Sequence, residues 1–353
     1  MVSANSSNGA TDQVLVEEKS SVRTLILNRP RQLNALSFPM ISPLLELFIA
    51  YEDDPNVKLV ILKGQGRAFC AGGDVAAVAN DPNMGATFFW KEYTLNYMMA
   101  TYKKIQVSIL DGIVMGGGAG ASVHGEYAGL TGARLDGSEM LACGLATHYV
   151  PSVMHECIYN LFPISEQRLS SLEDALCKAN SADQAIVSAI IDEFSEKPTL
   201  KEKSAYQRLG IIDRCFSRRT VEEILSALER ETVRAEDWIF TAIQSLKKAS
   251  PTSLKISLKA IREGRLQGVG QCLIQEYRMC CHVLRKEVSK DFFEGCRAIL
   301  IDKDRNPKWE PSRLELVSDE MVNRYFLKVD DKDWEDLVLP IRDNLPAAAF
   351  AKL

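Results

Sequence analysis

The chain has no uncharged run long enough to cross a bilayer as a helix. Its longest stretch free of Asp, Glu, Lys and Arg is 16 residues, Met140 to His155, interrupted by Gly144 and Pro151. No membrane partner is therefore expected. A basic block is missing too: 42 Lys and Arg stand against 47 Asp and Glu, for a net charge of −5. Without a stripe of positive charge the electrostatic footprint of a nucleic-acid binder is absent, and no nucleic acid is expected as partner. The nine cysteines include no Cys-x-x-Cys pair, and Cys280 and Cys281 are adjacent. Neither a disulfide framework nor a zinc knuckle is indicated, so we expect a reducing compartment and no metal. No basic residue precedes Lys19, whereas Asp12, Glu17 and Glu18 do, which contradicts the Arg-rich, acid-poor pattern of a mitochondrial transit peptide. Internal repeats and low-complexity tracts are also lacking beyond a Ser/Asn-rich start.

What is present divides near residue 150. Residues 1–150 hold 25 charged side chains and 16 of the 21 glycines, whereas residues 151–353 hold 64 and 5. In the first part short β-branched runs, at 22–27 and 57–62, alternate with helical patterns at 39–51 and 84–104, which predicts an α/β core with buried strands. The second part is patterned for helices almost throughout. Thr220 can cap a helix from Val221, Ser250-Pro251 can start one ending near Gly264, and 291–301 predicts another. The expected organisation is a polar, disordered lead-in over 1–12, an α/β core over 13–150, a helical region over 151–345 and an exposed tail over 346–353.

Two glycine-rich turns carry the chemistry. The first, Arg67-Ala68-Phe69-Cys70-Ala71-Gly72-Gly73-Asp74, follows a predicted buried strand, and paired glycines let a backbone N–H approach a ligand. A plain tight turn would look the same. The second follows 107–110 and contains Gly116-Gly117-Gly118 entering a helix, where unshielded amides at a positive helix end would stabilise an oxyanion or a phosphate. Gly116, Gly118 and Ala121 meet the degenerate dinucleotide fingerprint, but far from the N-terminal strand where it belongs. Ser122 makes no hydrolase elbow, because His124 stands where that motif needs glycine. Two strand-to-glycine turns, each offering one N–H, suit thioester chemistry, in which negative charge builds on a carbonyl oxygen.

In order and spacing, Asn28-Arg29-Pro30 with Asn34-Ala35-Leu36, then Ala68 to Asp74, then Met115-Gly116-Gly117-Gly118 resemble the crotonase (enoyl-CoA hydratase/isomerase) superfamily. Within it, Glu92-Tyr93-Thr94-Leu95-Asn96, Leu130-Thr131-Gly132-Ala133-Arg134-Leu135 and Asp291-Phe292-Phe293-Glu294-Gly295-Cys296-Arg297 are similar to the 3-hydroxyisobutyryl-CoA hydrolases, with the plant peroxisomal branch the best match. The resemblance covers about residues 13–330. It implies an α/β fold, a crotonase-like spiral of ββα units with a C-terminal helical region. It further implies hydrolysis of 3-hydroxyisobutyryl-CoA in valine catabolism, a coenzyme A thioester as substrate with no separate cofactor, and a homo-oligomer. Carried over residue by residue, the backbone N–H groups of Gly73 and Gly117 would form the oxyanion hole. The loop with Arg67, Ala71 and Asp74 would line the adenine end of coenzyme A, and Glu92 would contact the substrate. For Glu92 a solvated carboxylate on an amphipathic helix is the competing reading. Gly120 stands where the hydratases carry a catalytic glutamate, which disfavours addition of water to an enoyl-CoA.

One departure bears on catalysis. In the hydrolases the chain after this glycine-rich helix runs on to a Met-Pro-Glu and then a Gly-Leu-Phe-Pro-Asp motif, which supply the catalytic glutamate and an aspartate for the substrate hydroxyl. Here His124-Gly125 is followed directly by Glu126-Tyr127-Ala128, and none of the 13 prolines precedes a glutamate. The expected core is thus shortened after Gly125, leaving an oxyanion hole without its carboxylate. Oxyanion binding alone leaves roughly 10³ over water, far below a working enzyme. A non-catalytic acyl-CoA-binding protein, or a truncated splice product of the same family, is therefore the alternative. Glu126 is the carboxylate nearest the join, though its family position lies outside the site.

The C-terminal Ala351-Lys352-Leu353 fits the peroxisomal address of the Ser-Lys-Leu type, and an import receptor is the partner it would engage. A fluorescent fusion lacking Leu353 should stay cytosolic while the full-length fusion reaches peroxisomes. Peroxisomal fluorescence of the shortened fusion would refute the address.

Overall fold

The run Val22-Arg23-Thr24-Leu25-Ile26-Leu27 is buried along its whole length, because helices cover both faces of the sheet it enters. The computed structural model describes residues 12–116, 126–151, 164–232, 236–329, 331, 334–343 and 345. Its strands are β1 (Val14–Lys19), β2 (Val22–Leu27), β3 (Leu59–Gly64), β4 (Ala68–Cys70), β5 (Ile105–Ile109) and β6 (Ile113–Val114). β1 pairs antiparallel with β2, Val14 opposite Leu27. β2, β3 and β5 run parallel, with Val22 opposite Leu59 and Leu59 opposite Ile105, so the sheet order is β1-β2-β3-β5. β4 and β6 form a separate parallel pair.

Side chains alternate across β3. Val60 and Leu62 face α1 (Phe38–Asp53) and α3 (Pro82–Ala100), packing with Met40, Leu44, Phe48, Phe88 and Leu95. Between these two helices the short α2 (Val75–Asn80) follows the glycine turn. Leu59 and Ile61 face the opposite way. The remaining helices are α4 (Glu126–Thr131), α5 (Gly137–Ala142), α6 (Ile164–Ala179), α7 (Gln184–Phe194), α8 (Leu209–Phe216), α9 (Val221–Glu231), α10 (Asp237–Lys248), α11 (Pro251–Gly264), α12 (Val269–Arg285), α13 (Asp291–Cys296) and α14 (Asp319–Arg324). Leu172 and Leu176 of α6 with Val187 of α7 cover Leu59 and Ile61.

The expected caps are present. Thr220 accepts from the Glu223 N–H at the start of α9, and Ser250 from the Ser253 N–H at the start of α11. The helix expected over 291–301 is α13 continued by a wider π-type turn, Arg297–Ile301. Architecture changes earlier than composition does: the last described strand ends at Val114, and α4 already joins the helical layer, where Leu130 shares a core with Ile211, Ile224, Leu228, Ile239 and Leu254. Conversely, α6 and α7 lie beyond residue 150 yet belong to the sheet. Charge density follows solvent exposure rather than layer, so the composition step lags the structural one.

α12 returns to pack on α3, and Gly85 permits the close approach. A Cβ there would lie 2.9 Å from Val78 Cγ1 and 3.0 Å from Leu284 Cδ1. The C-terminal segment straps this pair from behind, with Val329, Trp334, Leu337 and Leu339 packed among Phe89, Trp90 and Tyr277. Arg342 anchors the strap to α1 through two hydrogen bonds to Glu52, of 2.5 and 2.6 Å. Burial alone would push the Glu52 carboxyl up, but the Arg342 guanidinium and the Lys103 backbone N–H hold it below the usual range. Among the described residues no helix is long and apolar enough to cross a membrane.

Asn34 ties the first loop to the sheet. Fully buried, its side chain accepts from the Arg29 N–H (2.8 Å) and donates to the carbonyls of Gln65 (3.0 Å) and Ala68 (2.7 Å). Its φ of +54° lies in the left-handed region that asparagine tolerates better than most residues. Asn34→Ala strands three backbone groups, so we expect a loss of about 2–5 kcal/mol by urea denaturation. Asn56→Ala, in an exposed turn, should stay within about 0.5 kcal/mol. Equal effects for the two would remove Asn34 from this role.

Candidate active site

The loop held by Asn34 sets the geometry of the glycine turn. The Ala71 N–H donates to Leu33 O (2.9 Å), Leu36 N–H to Gly72 O (2.7 Å) and Asp74 N–H to Leu36 O (2.8 Å). Gly73 lies between these bonds, and its own N–H has no hydrogen-bond partner among the described residues. Gly72 must be glycine: its φ is +100°, and a Cβ would lie 3.3 Å from Met115 O. Asp74 caps α2 through the Ala77 N–H (3.3 Å) and accepts from Arg29 (3.1 Å), which also donates to Ala35 O (2.6 Å). The turn is thus braced on both sides of an amide left free.

Gly73 opens on a cavity of about 290 Å³ whose walls include Gly116 and the apolar side chains of Val75, Val78, Phe88 and Phe89. Glu92, Tyr93 and Asn96 line it as well, recurring with Phe88 and Phe89 at helical spacing along one face of α3. Across from them α12 contributes Glu276.

Glu92 is 4% exposed and has neither a hydrogen bond nor an ion pair among the described residues. Burial, reinforced by the charge of Glu276, pushes its carboxyl up to about 7. Burial likewise pushes Glu276 up to about 7. No basic side chain lines the cavity among the described residues, so none of these compensates two carboxylates there. Near neutrality burial thus favours the protonated form of each carboxyl. Beside it Tyr93 Oη lies 3.3 Å from Cys280 Sγ, and burial pushes both groups well above their ordinary values, so both stay neutral.

The expected site residues are distributed unevenly. Gly73 and Glu92 meet in the cavity, and Glu92 is not the solvated carboxylate of the competing reading. Gly117, like His124 and Gly125, lies outside the described residues, although Gly116 beside it reaches the cavity. Arg67 is exposed, and Arg67, Ala71 and Asp74 are not among the residues that line this cavity. Glu126 is buried in the helical layer and ion-paired with Arg265 and with Arg262 (3.5 Å), so it is committed elsewhere. The terminal Ala351-Lys352-Leu353 also lies outside the described residues. Sequence reasoning missed Glu276, which sits in no motif. Its signal was placement: Leu273, Tyr277, Cys281 and Leu284 mark the buried face of α12, and Glu276 falls on that face as a charge among apolar residues. Among the described residues no group of three or more His, Cys, Asp or Glu is gathered as a metal site would need.

The parallel strands, covering helices and free glycine amide beside an apolar cavity define a crotonase-like fold. The chain belongs to the enoyl-CoA hydratase/isomerase family, whose model matches residues 22–128 and 124–326. It is 60% identical to 3-hydroxyisobutyryl-CoA hydrolase 1 of Arabidopsis thaliana, over 97% of this chain and 98% of that one. It is 37% identical to small ribosomal subunit protein mS47 of the same plant, over 95% and 90% of the two chains. Among solved structures, a carnitinyl-CoA dehydratase from Mycobacterium thermoresistibile superposes with a TM-score of 0.77 at 30% identity, over 93% of this chain and 99% of that one.

The raised Glu92 carboxyl has a consequence for stability. The folded state prefers it protonated, so its stability is fully present below the unfolded value of about 4.5 and falls as pH rises through about 7. Glu92→Gln should therefore leave stability nearly unchanged at pH 4 and raise it by up to about 3 kcal/mol at pH 8. Thermal melts at the two pH values check this. A variant equally destabilised at both would mean that the carboxyl is compensated in the folded chain.

Proposed function

We propose that the chain receives an acyl-CoA thioester with its carbonyl oxygen at the Gly73 N–H, and that its reaction is hydrolysis of 3-hydroxyisobutyryl-CoA to 3-hydroxyisobutyrate and coenzyme A, a step of valine breakdown. The observation that carries the reading is an amide without a partner, braced on both sides, in an apolar cavity beside Glu92. When water adds to the thioester carbon, charge passes to the carbonyl oxygen and is stabilised by that N–H, with Gly117 as the proposed second donor. Collapse breaks the C–S bond, and the sulfur leaves as the coenzyme A thiol once it takes up a proton. The 60% identity to an Arabidopsis 3-hydroxyisobutyryl-CoA hydrolase supports the choice of substrate. Peroxisomal import through a receptor, on the strength of the terminal tripeptide, and self-association are further parts of this proposal.

A second reading, a binder of acyl-CoA with little turnover, draws on the junction at Gly125-Glu126. The family model matches in two pieces that overlap at 124–128, and the alignment to the Arabidopsis hydrolase is 385 positions long although this chain has 353 residues. Positions of the relative thus face nothing here, consistent with the absent Met-Pro-Glu and Phe-Pro-Asp motifs. Release of coenzyme A from 3-hydroxyisobutyryl-CoA, followed with a thiol reagent, separates the two readings. We expect a rate at least about 10³-fold below that of a relative carrying both motifs, recovered when its segment is inserted between Gly125 and Glu126. Equal rates with and without the insertion would sink the argument from the missing segment. Failure to bind the thioester at all would sink both readings.

A further inference from the structure

The cavity contains more polar chemistry than an oxyanion hole requires. Glu92 and Asn96 project from α3 and Glu276 from α12, and among the described residues none of the three side chains has a hydrogen bond. Glu92 is 4% exposed and lines a largely apolar space of about 290 Å³. Two carboxyl groups turned into such a space are costly to ionise, because burial penalises the charged form and no described side chain pairs with them. A ligand group that both accepts and donates a hydrogen bond would remove that cost. A hydroxyl does so: one carboxyl, protonated, donates to its oxygen, and the other, ionised, accepts its proton. An aliphatic group of the same shape would leave the pair unsatisfied.

We propose that Glu276 is a specificity-determining residue which, with Glu92, clamps the hydroxyl of a short hydroxyacyl group carried on coenzyme A. The inference rests on the acyl-CoA reading above and adds to it a discriminating residue from α12. Because the close approach of α12 to α3 depends on Gly85, the same packing that completes the core sets the clamp. Selectivity then arises mainly from rejection, since a chain lacking the hydroxyl buries two unsatisfied acids.

The test uses thioethers that cannot be hydrolysed, so it does not depend on turnover. Binding of S-(3-hydroxy-2-methylpropyl)-CoA and S-(2-methylpropyl)-CoA to the full chain is measured by calorimetry at pH 7, with the fold of each variant checked by circular dichroism. The wild-type chain should prefer the hydroxylated ligand by at least about tenfold. Glu276→Leu and Glu276→Ala should both bring the two affinities within about twofold, through loss of the hydroxylated ligand's advantage. Glu276→Gln, which keeps a donor and an acceptor, should retain most of the preference. A wild-type chain that binds both ligands equally, or Leu and Ala variants that keep the preference, would overturn the clamp and leave the acyl-CoA reading standing. A wild-type chain that binds neither would overturn the clamp, while the acyl-CoA reading is tested separately by binding of the thioester itself, whose carbonyl these thioethers lack.

Discussion

A single buried amide side chain governs where the glycine turn of this protein points its free amide. Asn34 satisfies one N–H in its own loop and two carbonyls at the two ends of the β3–β4 connection, and in doing so joins the loop before α1 to that connection. Nothing apolar could replace it, since each of those backbone groups would be left without a partner away from water. The parallel bridge of Leu36 with Gly73 follows from that junction, and with it the direction of the Gly73 N–H. The spaced segments Asn28-Arg29-Pro30 and Asn34-Ala35-Leu36 thus have a physical meaning. Arg29 and Asn34 position the glycine turn and contribute no reacting atom.

The second constraint is electrostatic. Packing α12 on α3 buries apolar surface from Phe88, Leu95 and Leu284 and at the same time draws Glu92 and Glu276 into one cavity. Hydrophobic association stabilises the pair of helices, while confinement of two acids opposes it. The strap of residues 334–343, tied to Glu52 by Arg342, adds contact on the far side and helps the packing prevail. Binding sites in folded proteins are commonly destabilised locally in this way, with the surrounding core supplying the difference. On the clamp proposed above, the pair serves a ligand more than the fold.

Much of this was readable in the residues, and what escaped did so for identifiable reasons. Buried strands and capped helices follow from local pattern, which is why Val22–Leu27, Thr220 and Ser250 appear where expected. The glycine turns were recognisable because only glycine allows the φ of Gly72. β4 was hidden inside the first turn: three residues, Ala68–Cys70, carry too little periodicity to announce a strand. Glu276 was hidden differently. It is separated from Glu92 by 184 positions, and only the tertiary contact of α3 with α12 gives its charge a partner. Local patterns cannot disclose a pairing of that range, although a charge on the apolar face of α12 could have prompted the question.

The origin of the cavity walls bears on what the junction after Gly125 can change. Every described wall comes from residues 73–116 or from Glu276, on either side of the join and not across it. Downstream of the join, Glu126 is held by Arg262 and Arg265, and Leu130 is fixed in the helical core, so α4 is anchored by its own neighbours. The apparatus that would receive an acyl group is thus assembled by α3, α12 and the Asn34-braced turn. The apparatus that would deliver water to it is what the family places in the absent segment. The described cavity walls and the family's catalytic carboxylate thus belong to different stretches of the chain, and the walls are ones that this chain retains.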